Sequence, residues 1–215
     1  MRLLGSPLYA VCGYPFEFDP GAGALRRAST ALQPAFDPAR SVFVYDSASR
    51  GPLLAFKHTN RTDAAQTFAR LMAHAAAEML PDATVIVPVP PHRRRLLARR
   101  FNQSALVAQA IGRKTAIKAS PDFLVRTRHT PSQVGLSATA RRRNVTGAFA
   151  VRRGMADSAR GARVLMVDDV FTTGAMVGAC ATALRPRRRG RNRCYNASAC
   201  SMVNFAVKFL APGNM

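Results

Sequence analysis

The chain has 215 residues, 48% of them hydrophobic, which is enough for one good-sized domain with a small appendage. Its 32 lysines and arginines against 11 aspartates and glutamates give a net charge of +21, which favours phosphorylated metabolites, nucleic acid or an anionic membrane as partners. Tryptophan is absent and aromatic residues are 7%, which argues against a base-stacking platform for single strands. The sequence shows no signal peptide, no run as long as a membrane span and no cysteine pairing framework, so we expect a soluble cytoplasmic protein.

The amino-acid composition of the chain changes near residue 41. Residues 1–40 are rich in glycine, proline and alanine and predict a small irregular appendage. Ser41–Tyr45 predicts a strand, and Gly51–Lys57 follows with the apolar residues Leu53, Leu54 and Phe56. Thr62–Leu80 predicts a helix, because its apolar residues recur near one face.

A strong strand is predicted at Thr84–Pro90, where apolar residues run almost without interruption. It breaks into a basic loop, Pro91–Arg95. Residues 102–111 then predict a helix with Leu106, Val107 and Ile111 turned inward.

Two short strands are predicted next, at residues 122–126 and 148–151. Between them, residues 127–143 are polar and basic and lack apolar periodicity. This composition predicts a long mobile loop that ends in a helical turn, and a disordered surface loop is the alternative interpretation.

The most informative segment begins at Val164. Four apolar residues, Val164–Val167, predict a buried strand, and residues 175–184 are apolar enough to predict a helix. Between them lie an acidic pair and a turn with two hydroxyls and a glycine. These candidate site residues are Asp168, Asp169, Val170, Phe171, Thr172, Thr173, Gly174 and Ala175. Backbone amides and a helix N-terminus can bind a phosphate, while the two carboxylates can accept hydrogen bonds from a sugar diol. Solvated aspartates beside a capped helix are the alternative.

Strands that alternate with helices predict an α/β fold, with a mostly parallel sheet and flanking helices. Ligands of such sheets bind beyond the carboxyl ends of the strands. The turn after Val167 and the basic loop after Pro90 are both expected at that edge.

The acidic pair followed by Thr-Thr-Gly resembles the phosphoribosyl-pyrophosphate (PRPP) motif of type I phosphoribosyltransferases. The middle of the chain resembles one branch of these proteins, the ComF-type family, which is associated with bacterial competence and includes gluconate-utilisation relatives. The matching segments are residues 54–57, 87–103, 126–136 and 142–149, and the resemblance extends from about Pro7 to Leu184.

The resemblance implies a type I phosphoribosyltransferase-like domain at residues 41–184 that binds PRPP with Mg²⁺. Residues 170–175 would bind the 5-phosphate, and Asp168 and Asp169 the ribose hydroxyls. Candidates for the pyrophosphate are Lys57, His92, Arg93, Arg94 and Arg95, since guanidinium groups suit phosphate oxygens. Gln133 and Asn144 fall in the segment that resembles the family's active-site loop.

Two regions depart from the family pattern. The N-terminal zinc knuckle usually has two Cys-x-x-Cys pairs, but only Cys12 is present here, so residues 1–40 are expected to form a degenerate appendage without zinc. Residues 185–215 carry an arginine cluster and do not match the family's final strand. We hypothesise a shifted reading frame there, which would replace the last strand with unrelated residues and could leave the sheet without an edge strand, although Ser201–Leu210 is apolar enough to pair.

Two functions remain open at this level. The first is transfer of a phosphoribosyl group from PRPP to a nitrogen acceptor with release of pyrophosphate. The second is a non-catalytic accessory role in competence or DNA uptake, in which the fold binds nucleotide or nucleic acid through a basic surface. A non-functional relic is a third possibility. The acceptor and the oligomeric state are not identified by the sequence.

Overall fold

The computed structural model describes residues 35–36, 38–58, 63–91, 102–185 and 199–207. For residues 57, 58, 63 and 199–207 the description concerns the backbone alone.

The main element of the fold is a parallel five-stranded sheet in the order β1-β7-β6-β2-β3. Its strands are β1 (Ala39–Val44), β2 (Val85–Pro88), β3 (Lys118–Ala119), β6 (Arg163–Phe171) and β7 (Ala199–Val207). A separate antiparallel pair consists of β4 (Leu124–Arg126) and β5 (Phe149–Val151). The helices are α1 (Ser47–His58), α2 (Asp63–Ala75), α3 (Gln103–Thr115), α4 (Ala138–Val145) and α5 (Ala175–Leu184). The predicted α/β class with a mostly parallel sheet and flanking helices is therefore confirmed.

Other elements cover both faces of the sheet, and successive side chains of its strands point to opposite faces. Val164 and Met166 of β6 contribute to one hydrophobic core, together with α5 and the β4–β5 pair. Leu165 and Val167 contribute to the other core, with α1, α2 and α3. In the register of β2, Val85 lies beside Val164 and Ile86 beside Leu165, so the alternation continues across the strands.

Two helices differ from the sequence-based expectation. Residues 47–58 form α1, which was not predicted because Gly51 and Pro52 are typical of turns. A reciprocal cap begins this helix: the Ser49 N–H donates to Asp46 Oδ1, and the Asp46 N–H donates to Ser49 Oγ, both at 2.8 Å. Helix α2 ends at Ala75 rather than at Leu80, and residues 76–82 are turns whose apolar side chains Ala76 and Met79 remain buried.

The C-terminal region contributes a strand to the sheet, so the loss of an edge strand that a shifted frame could cause has not occurred. Residues 199–207 form β7, which lies between β1 and β6 in the middle of the sheet. Parallel strands pair through backbone amides and carbonyls, so a segment that does not match the family's sequence pattern can still form this strand. The reading-frame hypothesis itself stays a prediction, as does the division into residues 1–40, 41–184 and 185–215.

Candidate functional site

The acidic pair lies at the carboxyl end of β6, where the neighbouring strand β2 has already ended. Strand β2 pairs with β6 only as far as Pro88 beside Val167, whereas β7 continues along β6 to Phe171. Asp168 and Asp169 therefore have a strand on one side only, and both are half-buried, in contrast to the buried Val167. The predicted strand Val164–Val167 is correct in place but shorter than the observed β6.

Backbone amides orient both carboxylates. Asp168 Oδ1 accepts a hydrogen bond from the Asp169 N–H at 2.8 Å, and Asp169 Oδ1 accepts one from the Val170 N–H at 2.6 Å. These amide contacts hold both half-buried carboxylates at the end of the strand.

The turn from β6 into α5 is tight and depends on Gly174. This residue has φ +71°, in the left-handed region that favours glycine. A Cβ placed there would lie 3.1 Å from Cζ of Phe171 and 3.3 Å from Cζ of Phe36. The two rings pack edge to face with centroids 6.1 Å apart, so a Cβ at position 174 would be tight against the aromatic pair.

The N-terminus of α5 is suited to an anion. The helix begins at Ala175, and its first turn has no acidic residue. The Ala175 N–H donates weakly to Thr173 Oγ1 at 3.4 Å, and the Gly178 N–H makes the first helical bond to Gly174 O at 2.7 Å. The partial positive charge of a helix N-terminus therefore lies next to two threonine hydroxyls, as the sequence predicted.

Residues 127–145, which we call the hood segment, adopt more defined structure than the predicted loop. Ser137 caps α4 by accepting a hydrogen bond from the Ala140 N–H at 3.3 Å. Asn144 Nδ2 donates to Pro131 O at 3.1 Å, and Arg128 Nη2 donates to Asn144 O at 2.9 Å. Residues 138–145 are thus a two-turn helix, α4, that is hydrogen-bonded back to the preceding loop.

A residue missed by the sequence analysis connects this segment to the turn. Arg141 Nη1 donates to Thr172 Oγ1 at 3.1 Å, and its Nε donates to Leu136 O at 2.9 Å. Nothing in the arginine-rich run distinguishes Arg141 from Arg142 and Arg143, except its position one helical turn before Asn144.

The structure describes only some of the other candidate site residues. Gln133 is half-buried in the turn before Leu136, and Asn144 lies on α4 beside the loop, so the two share the hood segment. Lys57 is in the last turn of α1 but its side chain is not described. His92, Arg93, Arg94 and Arg95 lie outside the described residues, and so does Cys12 of the proposed knuckle. The roles assigned to all of these residues stay predictions.

In the described part of the chain, no group of three or more histidine, cysteine, aspartate or glutamate side chains is arranged to hold a metal ion. Among the helices of the same residues, none combines the length and the apolar character that crossing a membrane requires.

Fold and site together define an α/β protein in which an acidic pair and a threonine- and glycine-containing turn lie at the carboxyl edge of a parallel sheet. Its sequence is similar to those of curated bacterial proteins, in agreement with the ComF-type resemblance. It is 34% identical to Competence protein F of Haemophilus influenzae over 137 residues, which are 60% of this chain and 58% of that protein. It is 36% identical to DNA utilization protein YhgH of Escherichia coli K12 over 135 residues, 60% of this chain and 57% of that protein. The chain thus spans less than three fifths of the length of these relatives, and no family model matches it.

Two solved structures share part of the chain path. One is the glutamine PRPP amidotransferase from B. subtilis complexed with ADP and GMP, with a TM-score of 0.44 and 20% identity, covering 71% of this chain and 30% of that one. The other is described as the allosteric regulatory enzyme of purine biosynthesis, with a TM-score of 0.42 and 17% identity, again covering 71% and 30%. Both likenesses concern the fold only.

Proposed function

We propose that the chain binds PRPP with Mg²⁺ at the carboxyl edge of the sheet and transfers the phosphoribosyl group to a nitrogen acceptor, releasing pyrophosphate. The observation that carries this proposal is the continuous run from the acidic pair on β6 through the Gly174 turn into the N-terminus of α5. A diol-binding group and a phosphate-binding group are adjacent there, and a phosphorylated ribose needs both.

The 5-phosphate would occupy the turn at residues 172–175, where backbone amides and the helix dipole favour negative charge. The ribose hydroxyls would donate to Asp168 and Asp169, whose carboxylates are held in place by the amides of the next residues. Two carboxylates at this position also stabilise positive charge that develops on the sugar ring when its bond to pyrophosphate breaks.

The residues present fit Mg²⁺. Half-buried carboxylate oxygens are hard ligands of the kind that this ion prefers, and it usually binds through one or two carboxylates plus substrate phosphates. Bound there with PRPP, Mg²⁺ would offset charge on the leaving pyrophosphate. The protein's own contribution is to hold the sugar and its phosphate in position, and this type of catalysis requires no protein nucleophile.

The test is titration calorimetry of the full chain with PRPP and Mg²⁺, followed by measurement of pyrophosphate release with a panel of nitrogenous bases. Asp168→Asn should weaken PRPP binding by about tenfold or more, because it removes a charged hydrogen-bond acceptor for the diol. Asp157→Asn is the matched control, since Asp157 is exposed and pairs only loosely with Arg160 at 3.8 Å. Unchanged PRPP affinity in Asp168→Asn would refute the assignment.

The second candidate is a non-catalytic accessory role in competence or DNA uptake, with nucleic acid as the partner. The names of the relatives, Competence protein F and DNA utilization protein YhgH, favour it, as does the net charge of +21. Arg142 and Arg143 are exposed on α4 and are available to phosphate groups. A salt titration distinguishes the two roles: affinity that falls steeply with salt, and that drops in Arg142→Gln/Arg143→Gln, supports DNA contact. Absence of binding at low salt removes this candidate.

A further inference from the structure

Arg141 joins the hood segment to the candidate phosphate turn. It lies in the middle of α4 and is half-buried, whereas Arg142 and Arg143 on the same helix are exposed. Its guanidinium makes two directed hydrogen bonds, from Nη1 to Thr172 Oγ1 at 3.1 Å and from Nε to Leu136 O at 2.9 Å. The bond to Leu136 fixes the plane of the guanidinium, and the bond to Thr172 directs it at the turn.

Helix α4 does not depend on Arg141 for its position. Ser137 caps it, Asn144 binds the carbonyl of Pro131, and Arg128 binds the carbonyls of Asn144 and Thr146, both at 2.9 Å. Val145 is buried in the core beneath the helix. The contact between Arg141 and Thr172 is therefore additional to the contacts that hold the segment in place.

The chemistry of the two groups sets the direction of the hydrogen bond. A guanidinium has donors only, so the Thr172 hydroxyl must be the acceptor, and its own hydrogen is turned away from Arg141. The permanent charge of arginine would lie close to an anion bound in the turn, in a half-buried place where screening by water is reduced.

We infer that Arg141 is a positioning residue for the sugar 5-phosphate, which acts by holding Thr172 in place through their hydrogen bond and by placing a positive charge beside the turn. This inference rests on the proposed function, because it assigns a further residue to the same site. It predicts that the hood segment contributes to the affinity for the phosphate monoester and that it does so through Thr172.

The experiment compares two probes, ribose 5-phosphate and inorganic pyrophosphate, by calorimetry on the full chain. Arg141→Gln should weaken ribose 5-phosphate binding by about tenfold or more, since a charge-assisted contact is removed. Pyrophosphate affinity should change by less than about threefold. Arg153→Gln, which changes an exposed arginine outside the hood segment, should leave both affinities unchanged. Arg141→Lys should restore part of the loss, because it retains the charge but not the bond to Leu136.

A double-mutant cycle tests the coupling to Thr172. Thr172→Ala and Arg141→Gln should each weaken ribose 5-phosphate binding, and the double variant should lose clearly less than the product of the two single effects. A second measurement is ³¹P NMR of bound ribose 5-phosphate. The second pKa of the phosphate, about 6 in free monoesters, should be lowered in the wild type and return toward the free value in Arg141→Gln.

The outcomes separate this inference from the proposed function. If the wild type binds neither PRPP nor ribose 5-phosphate, the proposed function fails. If it binds both and Arg141→Gln binds ribose 5-phosphate equally well, the proposed function survives and the role of Arg141 is refuted. Independent effects in the cycle would also refute it. Should Arg141→Gln fail to fold, the affinities for ribose 5-phosphate and pyrophosphate are compared in Arg141→Lys instead. In either variant, equal losses of the two affinities would count against the assignment.

Discussion

Substitution of Gly174 by alanine tests the turn on which the candidate site depends. At φ +71° an alanine is strained, at a cost of about 1–2 kcal/mol. Its Cβ would also lie 3.1 Å and 3.2 Å from ring atoms of Phe171 and 3.3 Å from Phe36. Moving two packed rings by a few tenths of an ångström adds about 1 kcal/mol more. We therefore expect Gly174→Ala to lower the free energy of unfolding by about 2–3 kcal/mol.

Gly147→Ala is the matched control for this substitution. Gly147 has φ +66°, close to that of Gly174, but no atom of the described residues lies within 4 Å of the position of its Cβ. Its substitution should therefore incur the backbone strain alone, about 1–2 kcal/mol. The difference between the two variants isolates the contact with the aromatic pair.

Urea unfolding monitored by circular dichroism measures both variants, and calorimetry with PRPP and Mg²⁺ measures their binding. Gly174→Ala should be the less stable of the two and the only one of the pair that weakens PRPP binding, since the rings cannot move without displacing the turn. Equal losses of stability in the two variants would refute the packing argument. Undiminished PRPP affinity in a folded Gly174→Ala would show that the ligand does not need this turn conformation.

Two further predictions concern the scaffold. Gly112→Ala in α3 would place a Cβ 2.7 Å from the backbone oxygen of Ile117, so it should lower the free energy of unfolding in urea by about 1–3 kcal/mol. Gly51→Ala, with open space around it, is the control and should be neutral or stabilising. The hydrogen bond from the Ser49 backbone N–H lowers the pKa of Asp46, so the ionised carboxylate stabilises the fold above its ordinary pKa. This stabilisation is lost as the pH falls through the lowered pKa. Asp46→Ala should therefore have a lower free energy of unfolding than the wild type at neutral pH, and the gap between them should shrink in acid. A gap that does not change with pH would contradict the assignment.

The sequence by itself determined the core of the fold and the local chemistry of the site. The apolar runs at β2 and β6 predicted buried parallel strands, and the helix at residues 175–184 was predicted with its observed ends. These features are encoded locally, because an apolar run of strand length, an acidic pair and a glycine turn each constrain the backbone around them.

The tertiary structure decided which distant segments meet. Arg141 could not be singled out from its arginine neighbours, since only the packing of α4 against the turn brings it to Thr172. The place of β7 in the sheet was also unpredictable, because it depends on backbone pairing with β1 and β6 rather than on a particular amino-acid sequence. Local sequence specifies what a segment forms, whereas contacts between segments far apart in the chain depend on how the whole core packs.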